Sequence, residues 1–274
     1  MSERVAVRKT YKLYIGGKFP RSESGRSYIV QDANVALSSR KDARDAVVAA
    51  RAAVKGWAGT TAYNRGQVLY RVAEMLEGRR EQFVALGVPG EEVDAAIDRW
   101  VWYAGWSDKL AQVYGGANPV AGPYFNISAP EPTGVVAVVA PERPALLGLV
   151  SVIAPAIVSG NTVVVAASPA EPLPAITLAE VLATSDLPGG VVNLLTGKIS
   201  ETVPTLAAHM DVNAIDLTGV ADAGLAAELE IKAAENLKRV LRPAPADHDW
   251  FADPGVTRMT TLLETKTVWH PKGV

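Results

Sequence analysis

The sequence predicts an α/β protein built on a doubly wound parallel sheet, and three observations lead to that prediction. The chain has 274 residues, of which 49% are hydrophobic and 20% charged, so it can bury a large core. From Val135 onward, four short runs rich in valine and leucine alternate with helical patterns. Such runs are apolar on both sides, as parallel strands are when helices cover both faces of the sheet.

Composition excludes several classes of function. The 27 basic and 29 acidic side chains leave a net charge of −2, so we expect no nucleic acid as a partner. The chain has no cysteine, which excludes disulfides and a sulfur nucleophile within it. Residues 144–170 carry no charge, but the helix-stop signal Ser159-Gly160-Asn161 divides them into a helix and a strand, so we expect no membrane span. The polar first residues lack a secretory signal, and the predicted location is cytoplasmic.

The first part of the chain predicts a hairpin and three helices. Alternating apolar positions and a Gly-Gly pair favour a small β-hairpin on the surface over residues 11–20. Ser39 followed by Asp42 is typical of a helix start, and small apolar residues recur on one face up to Gly56. The next two helices are predicted over residues 62–86 and 91–114.

The third of these helices is rich in aromatic residues. Trp100, Tyr103 and Trp106 recur every three positions, with Trp102 four positions before Trp106. Stacking on a base or cofactor is one interpretation. Packing between layers is favoured, because helical spacing with little positive charge is typical of a buried face.

Four strand-and-helix pairs follow, and their loops are where a ligand would bind. In such a sheet, ligands lie beyond the carboxyl ends of the strands, near helix N-termini. The candidate loops cover residues 141–144, 166–169, 196–198 and 218–224. The strands are predicted over residues 135–139, 162–166, 191–195 and 213–217, each followed by a helix: 145–158, 173–184, 201–208 and 221–237.

Reactive groups are scarce in these loops. The Gly-x-Gly-x-x-Gly fingerprint is missing, and Gly197-Lys198 lacks the other residues of a phosphate-binding P-loop. Residues 219–224 allow a close approach to phosphate, although a tight turn is the simpler interpretation. The three histidines lack metal-ligand spacing, so we expect no metal site. No nucleophile or paired carboxylates mark a catalytic site.

Several motifs, taken in order, resemble the NAD(P)-dependent aldehyde dehydrogenase family over nearly the whole chain. The resemblance implies a Rossmann-like sheet with N-terminal helices and a small oligomerisation β-element. The motifs are LYIGGK at 13–18, YAGWSDK at 103–109, EPTGVV at 131–136, PAIVSGNTVV at 155–164, LPGGVVN at 187–193, LTG at 217–219 and NLKRV at 236–240.

The resemblance also implies that the catalytic residues of the family are missing here. Family members use a cysteine nucleophile, an asparagine, a glutamate base and NAD(P). The asparagine position falls on Arg143, the glutamate position near Pro243, and the ribose-binding lysine on Ala166. We therefore expect no catalytic residues. NAD remains a possible but degenerate cofactor, and the candidate contacts are Ser168, Thr218, Gly219 and Gly224.

The last residues resemble the C-terminal strand of the family, so the chain looks internally deleted. The resemblance implies that this strand pairs with a neighbouring subunit. The predicted interface residues are Tyr124, Ile127, Thr265, Lys266, Thr267, Val268 and Trp269. The predicted units are 1–114 (N-terminal hairpin and helices), 115–134 (oligomerisation ribbon), 135–241 (strand–helix units), 242–260 (extended linker) and 261–274 (oligomerisation strand).

These inferences leave three hypotheses about function. The first is a non-catalytic subunit that assembles with an active, full-length aldehyde dehydrogenase homologue or with copies of itself, and stabilises or regulates its partner. The second is a weak NAD- or nucleotide-binding sensor or inhibitor. The third is an oxidoreductase with rebuilt chemistry, for which only Arg143 and Lys198 could polarise a substrate. Arg143 is expected instead to form a salt bridge at the surface or at an interface.

Overall fold

The computed structural model describes residue 5 and residues 9–273. Its helices are α1 (Arg40–Gly59), α2 (Ala62–Glu77), α3 (Arg80–Ala85), α4 (Gly90–Ala104), α5 (Leu110–Tyr114), α6 (Leu147–Val158), α7 (Pro172–Leu182), α8 (Ile199–Ala207), α9 (Ala223–Ala234) and α10 (Thr257–Thr261). Its strands are β1 (Thr10–Tyr11), β2 (Ser27–Val30), β3 (Ala33–Ala36), β4 (Gly116–Asn118), β5 (Tyr124–Pro132), β6 (Val135–Val139), β7 (Thr162–Ala166), β8 (Val192–Leu195), β9 (Ala214–Asp216), β10 (Arg239–Leu241) and β11 (Leu263–Pro271). Across the described residues, none of these helices combines the length and hydropathy that a membrane crossing requires.

Five parallel strands form the central sheet, in the order β10-β9-β6-β7-β8. Side chains of β6 alternate between two cores: Val136 and Val138 pack with α6 and α7, while Ala137 and Val139 pack with α1 and α8. Helices therefore cover both faces of the central sheet, as is typical of parallel sheets, whose strands are apolar on both sides. The prediction of a doubly wound α/β fold is confirmed.

The beginning of the chain is less superficial than its sequence pattern predicts. The tight turn is present, since Ile15 and Lys18 exchange backbone hydrogen bonds of 2.9 and 3.0 Å. However, Leu13 and Tyr14 are fully buried, and Tyr14 exchanges two backbone hydrogen bonds with Leu194 in β8. The prediction of a surface hairpin is wrong in this respect, because the segment adds to the edge of the central sheet.

The predicted N-terminal helices are present, two of them interrupted. Ser39 and Asp42 form a reciprocal capping box at the start of α1, as predicted. The second predicted helix divides into α2 and α3 after Gly78, and the third divides into α4 and α5 after Gly105. Glycine weakens a helix, which accounts for both breaks.

The aromatic residues of α4 and of the turn that follows it pack against one another and against the larger core. Trp100 and Tyr103 are almost completely buried in the larger core. Trp102 packs edge-on against Tyr103, with ring centroids 4.8 Å apart, and also contacts Trp106. These contacts confirm the interpretation that the aromatic set fills space between layers.

Two further sheets have three strands each, in the orders β1-β3-β2 and β11-β5-β4. The terminal strand β11 pairs antiparallel with β5 along its whole length, from Leu263 opposite Pro132 to Pro271 opposite Tyr124. In this structure the terminal strand therefore pairs with the ribbon of its own chain. The resemblance places it on a neighbouring subunit, and that pairing stays untested because the structure contains one chain.

Residues 242–262 connect β10 of the central sheet to β11, and this segment packs against the rest of the chain. The helix α10 lies within this segment, and its Met259 is fully buried. Trp250 and Val256 also pack against the larger core. The segment thus differs from the extended linker predicted over residues 242–260, because its apolar residues find partners at the end of the central sheet.

Candidate functional site

The first candidate site is a small cavity where the strand order reverses, and we call it the switch-point cleft. From β6 the chain continues to β7 and β8 on one side, and then places β9 on the other side of β6. Ligands of open α/β sheets bind outside the carboxyl ends of the strands at this point. The cavity has about 250 Å³ and is lined by Ala140, Glu142, Pro169, Ala170, Ile199, Gly219, Val220, Ala221, Asp222 and Leu225.

Gly219 lies in the switch-point cleft, but its close approach is to the protein itself. A Cβ atom at this position would overlap the carbonyl group of Ala140. The backbone N–H of Gly219 donates to the carbonyl oxygen of Val139 at 3.0 Å. Glycine is therefore required for packing between two loops, which is the tight-turn interpretation of residues 219–224.

The other three predicted cofactor residues lie at the same edge of the sheet. The Ser168 hydroxyl accepts a hydrogen bond from the backbone N–H of Glu171 at 3.1 Å. Thr218 bonds to Asp216 through its hydroxyl and its backbone N–H. Gly224 lies in the first turn of α9. The two hydroxyl groups are thus already engaged by the chain.

Two helix N-termini near this edge are occupied by carboxylates of the protein. Asp222 caps α9, where its Oδ1 accepts the N–H of Leu225 at 2.6 Å. Glu92 is 6% exposed, and its Oε1 accepts the N–H groups of Leu146 and Leu147, at the start of α6, at 2.7 and 3.1 Å. A helix N-terminus attracts anions, so these carboxylates take the positions where a phosphate would be most stable.

The groups considered for chemistry and the position of the ribose-binding lysine lie at the surface or in the core. The side chain of Arg143 is 80% exposed and forms an ion pair of 2.6 Å with Glu171, which confirms the expected surface salt bridge. Lys198 is 70% exposed and lies 4.0 Å from Glu201. Ala166 is buried at the end of β7. Within the described residues, no group of three or more acidic or histidine side chains could hold a metal ion.

A larger cavity of about 550 Å³ lies at the ends of β9 and β10, and we call it the arginine cleft. Helices α4 and α6 form one wall, and residues 242–262 form the other. Its inner surface is polar, with Arg99, Tyr103, Ser151, Thr218 and Arg258, and Trp250 stands beside them.

Arg258 forms a buried ion pair in the floor of this cleft. Its Nη1 lies 2.5 Å from Oδ2 of Asp216, whose side chain is 1% exposed, and donates to the Thr218 hydroxyl at 2.7 Å. Asp216 ends strand β9, so the pair fixes α10 to the central sheet. Breaking one partner of such a pair leaves an uncompensated buried charge.

Arg99 is buried beside this pair, and its hydrogen-bond partners are neutral groups of the protein. It is 8% exposed, donates from Nη1 to the Ser151 hydroxyl at 3.0 Å, and donates from Nη2 to the carbonyl oxygens of Trp250 and Ala252 at 2.8 and 3.1 Å. Burial lowers the pKa of Arg99, because desolvation disfavours the charged guanidinium. Burial also raises the pKa of Tyr103 to about 12, so its hydroxyl stays protonated at neutral pH.

The sequence patterns did not predict this second cleft. One signal was present: Arg99 interrupts the buried face of α4, three positions after Ala96 and four before Tyr103. A charged residue on the apolar face of a helix is uncommon, and it indicates either a buried polar contact or a site. Arg258 carried no such signal, because its segment was interpreted as a linker.

Comparison with known proteins decides the family. The model of the aldehyde dehydrogenase family matches residues 30–242. The chain belongs to this family. It is 31% identical over 252 residues to human retinal dehydrogenase 2, covering 85% of this chain and 48% of that protein. It is 31% identical over 248 residues to mitochondrial benzaldehyde dehydrogenase of Antirrhinum majus, covering 84% of this chain and 46% of that protein.

Solved structures of the family share the fold. The chain is similar to the NAD+ complex of an aldehyde dehydrogenase from Bacillus cereus, with a TM-score of 0.79, 25% identity, and coverage of 85% of this chain and 50% of that one. The protein HpcC from Thermus thermophilus gives a TM-score of 0.79 at 28% identity, covering 85% and 47%. The chain thus spans about half the length of the relatives it matches. The family match ends at residue 242, where the outer wall of the arginine cleft begins.

Proposed function

We propose that this chain is a non-catalytic subunit of the aldehyde dehydrogenase family, which assembles with an active, full-length homologue and stabilises or regulates it. One observation carries the proposal. The β4-β5-β11 sheet exposes large apolar side chains on both of its faces, at Tyr124, Phe125, Ile127, Val268 and Trp269. Exposed apolar patches of this kind mark interfaces or a risk of aggregation.

The register of the sheet divides the predicted interface residues between two faces. Ile127 lies directly opposite Val268, with Lys266 on the same face. Tyr124 packs edge-on against Trp269 on the other face, with ring centroids 5.8 Å apart. Both faces could therefore contact a partner, and β11 is an edge strand that could accept a strand from one.

Polar contacts also join β5 to β11 beside these apolar side chains. Thr267 and Ser128 hydrogen bond across the strands at 2.8 Å, and Lys266 forms an ion pair of 3.1 Å with Glu131. Thr265 precedes Lys266 in β11 and lies opposite Pro130 of β5. We propose that the ribbon of residues 115–134 and the strand of residues 261–274 act together as the assembly unit, with 1–114 and 135–241 as the remaining folded units.

The missing chemistry supports a non-catalytic role. The chain supplies no cysteine, and Arg143 stands at the position of the family asparagine. Its guanidinium is engaged at the surface with Glu171. We propose no catalytic residue in this chain, and we place the subunit in the cytoplasm, as the name of the relative "Aldehyde dehydrogenase, cytosolic 1" says of that protein.

Co-expression with tagged aldehyde dehydrogenases from the same genome tests this proposal. We expect a stable complex by size-exclusion chromatography with light scattering. The double variant Ile127→Lys/Val268→Lys should weaken the complex at least about tenfold, because it places two charges in the contact. Val48→Lys is the control, since Val48 is exposed on α1, outside the sheet.

Two outcomes would contradict the proposal. One is a monodisperse monomer that binds none of the dehydrogenases. The other is a complex that the double variant and the control affect equally. An oligomer of this chain alone, dissociated by the double variant, would retain the surface and replace the proposed partner with a second copy.

A further inference from the structure

We propose that the arginine cleft binds a small organic carboxylate, held by the guanidinium groups of Arg99 and Arg258 and by the Tyr103 hydroxyl. This inference does not depend on assembly with a partner subunit. The site is also a different cavity from the switch-point cleft: Gly219 lines that cleft, whereas Thr218 is the one predicted cofactor residue that lines the arginine cleft.

The first argument is the uncompensated charge of Arg99. Arginine is rarely this deeply buried without an acidic partner. Among the described residues, no carboxylate lies within the ion-pair distance of 4.0 Å, and the hydrogen bonds of Arg99 go to a hydroxyl and two carbonyl groups. The buried guanidinium therefore has no directly paired carboxylate, and an anion in the cleft would supply one.

The second argument is the distribution of charge between floor and rim. The floor holds two guanidinium groups, Arg99 and Arg258, and one carboxylate, Asp216, which is committed to Arg258. The rim holds exposed Asp249 and Asp253. Solvent screens charges on the rim far more than charges on the floor, so the interior of the cleft is positive.

The two rim carboxylates are also engaged by their own loop. Oδ1 of Asp249 accepts the N–H of Phe251 at 2.9 Å, and Oδ1 of Asp253 accepts the N–H of Gly255 at 2.8 Å. These turns hold both side chains to the loop backbone, and neither carboxylate forms an ion pair with Arg99 within the described residues. The charge of Asp253 acts on Arg99 only from beyond ion-pair distance, so the rim gives Arg99 no direct ion-pair partner.

The third argument is the shape and chemistry of the cleft. Its volume of about 550 Å³ falls within the roughly 300–1,000 Å³ typical of small-molecule sites. A planar guanidinium matches the planar carboxylate group, and the neutral Tyr103 hydroxyl adds a donor. Trp250 supplies an aromatic surface for the apolar part of the ligand, and His248 packs edge-on against it, with ring centroids 4.5 Å apart.

Arg99 also has a simpler role, which the experiment must separate from ligand binding. Its bonds to the carbonyl groups of Trp250 and Ala252 anchor residues 242–262 to α4. A purely structural anchor predicts that loss of Arg99 affects stability and that the cleft has no preference for anions. A binding site predicts such a preference in the unaltered protein.

Calorimetric titration of the full chain with benzoate tests the proposal, with benzamide as a neutral ligand of the same shape. We expect benzoate to bind with a dissociation constant in the millimolar range or below, and benzamide to bind at least about tenfold more weakly. Equal affinity for both, or no heat with benzoate at about 20 mM (a ceiling of about 2.3 kcal/mol in binding free energy), would overturn the proposal. Inorganic phosphate binding as tightly as benzoate would also overturn it.

Variants then locate the binding. Arg99→Lys keeps the charge but loses the planar fork, and should weaken benzoate binding at least about fivefold. Tyr103→Phe, which removes one hydroxyl, should weaken it about threefold and remains informative if Arg99→Lys does not fold. Arg242→Lys is the matched control on the rim, where the side chain is 80% exposed. Benzoate affinity that responds equally to Arg242→Lys and to the floor variants would contradict the site.

Discussion

The two clefts lie along one edge of the same sheet, yet they offer opposite environments. The switch-point cleft is lined by Glu142 and Asp222, and Gly219 seals it against the backbone of the neighbouring loop. The arginine cleft is larger and has two guanidinium groups in its floor. The parallel sheet thus fixes where a ligand could lie, while side chains from α4 and residues 242–262 decide which ligand the space favours.

The strongest way to break this comparison is to remove Arg258. Arg258→Met leaves Asp216 buried without its partner, and should lower the free energy of unfolding by about 3–5 kcal/mol in urea denaturation at pH 7. Arg242→Met, on the exposed rim, should change it by less than about 0.5 kcal/mol. Equal effects of the two substitutions would show that the floor is not a buried ion pair.

A double variant sharpens the same point. Asp216→Asn/Arg258→Met removes both charges, and we expect it to recover more than half of the stability lost in Arg258→Met. We expect this recovery because most of the stability lost in Arg258→Met comes from the unpaired carboxylate of Asp216 and not from lost packing. A double variant as unstable as the single variant would assign the loss to packing of α10.

The second prediction concerns how tightly the switch-point cleft is closed. Gly219→Ala should destabilise the protein by about 1–3 kcal/mol, because the added methyl group overlaps the backbone at Ala140. Gly56→Ala in α1 has open space around the new Cβ and should instead stabilise the helix by about 0.5–1 kcal/mol. Thermal unfolding of the two variants measures both signs. A neutral Gly219→Ala would mean that the loops can separate and admit a ligand.

The third prediction tests whether the carboxylate at α9 disfavours a nucleotide. We expect no calorimetric signal when the protein is titrated with NAD to about 1 mM, a ceiling of about 4.1 kcal/mol. Asp222→Asn keeps a helix cap but removes the charge, and should improve phosphate binding by about 0.3–1 kcal/mol, roughly twofold to fivefold. Micromolar binding of NAD by the unaltered protein would reverse our interpretation of this cleft.

The smallest predicted effect is a dependence on pH next to the arginine cleft. Arg239 in β10 forms a two-point hydrogen-bonded ion pair with Glu264 in β11, at 2.7 and 2.6 Å, and holds the pKa of Glu264 below its usual value. A lowered pKa means that this stabilisation is present above about pH 4.5 and is lost as the pH falls through the folded-state pKa.

Solvent screening limits the size of that effect. The two side chains are 40% and 49% exposed, so we expect at most about 0.5 kcal/mol. Urea denaturation at pH 7 and pH 3.5 measures the difference, and Glu264→Gln should reduce it by that amount. An identical pH dependence in Glu264→Gln and the unaltered protein would show that the pair does not link the two sheets energetically.

Local patterns predicted most of the fold. Strands β6 to β9 and their helices follow from apolar periodicity, and the capping box of Ser39 and Asp42 marked the start of α1. Strand β10 escaped prediction because three half-buried residues at a sheet edge give almost no periodic signal. The burial of Tyr14 was missed because it depends on Leu194, which is distant in the sequence.

Local periodicity predicted the fold class, composition excluded a cysteine nucleophile within the chain, and motifs that occur in order along the chain carried the resemblance to the family. Only the tertiary structure decided that Asp222 and Glu92 occupy helix ends, that Gly219 packs on Ala140, and that Arg99 and Arg258 share one cavity. The physical reason is that burial and charge pairing depend on residues brought together from distant parts of the chain, and no local pattern records which residues meet.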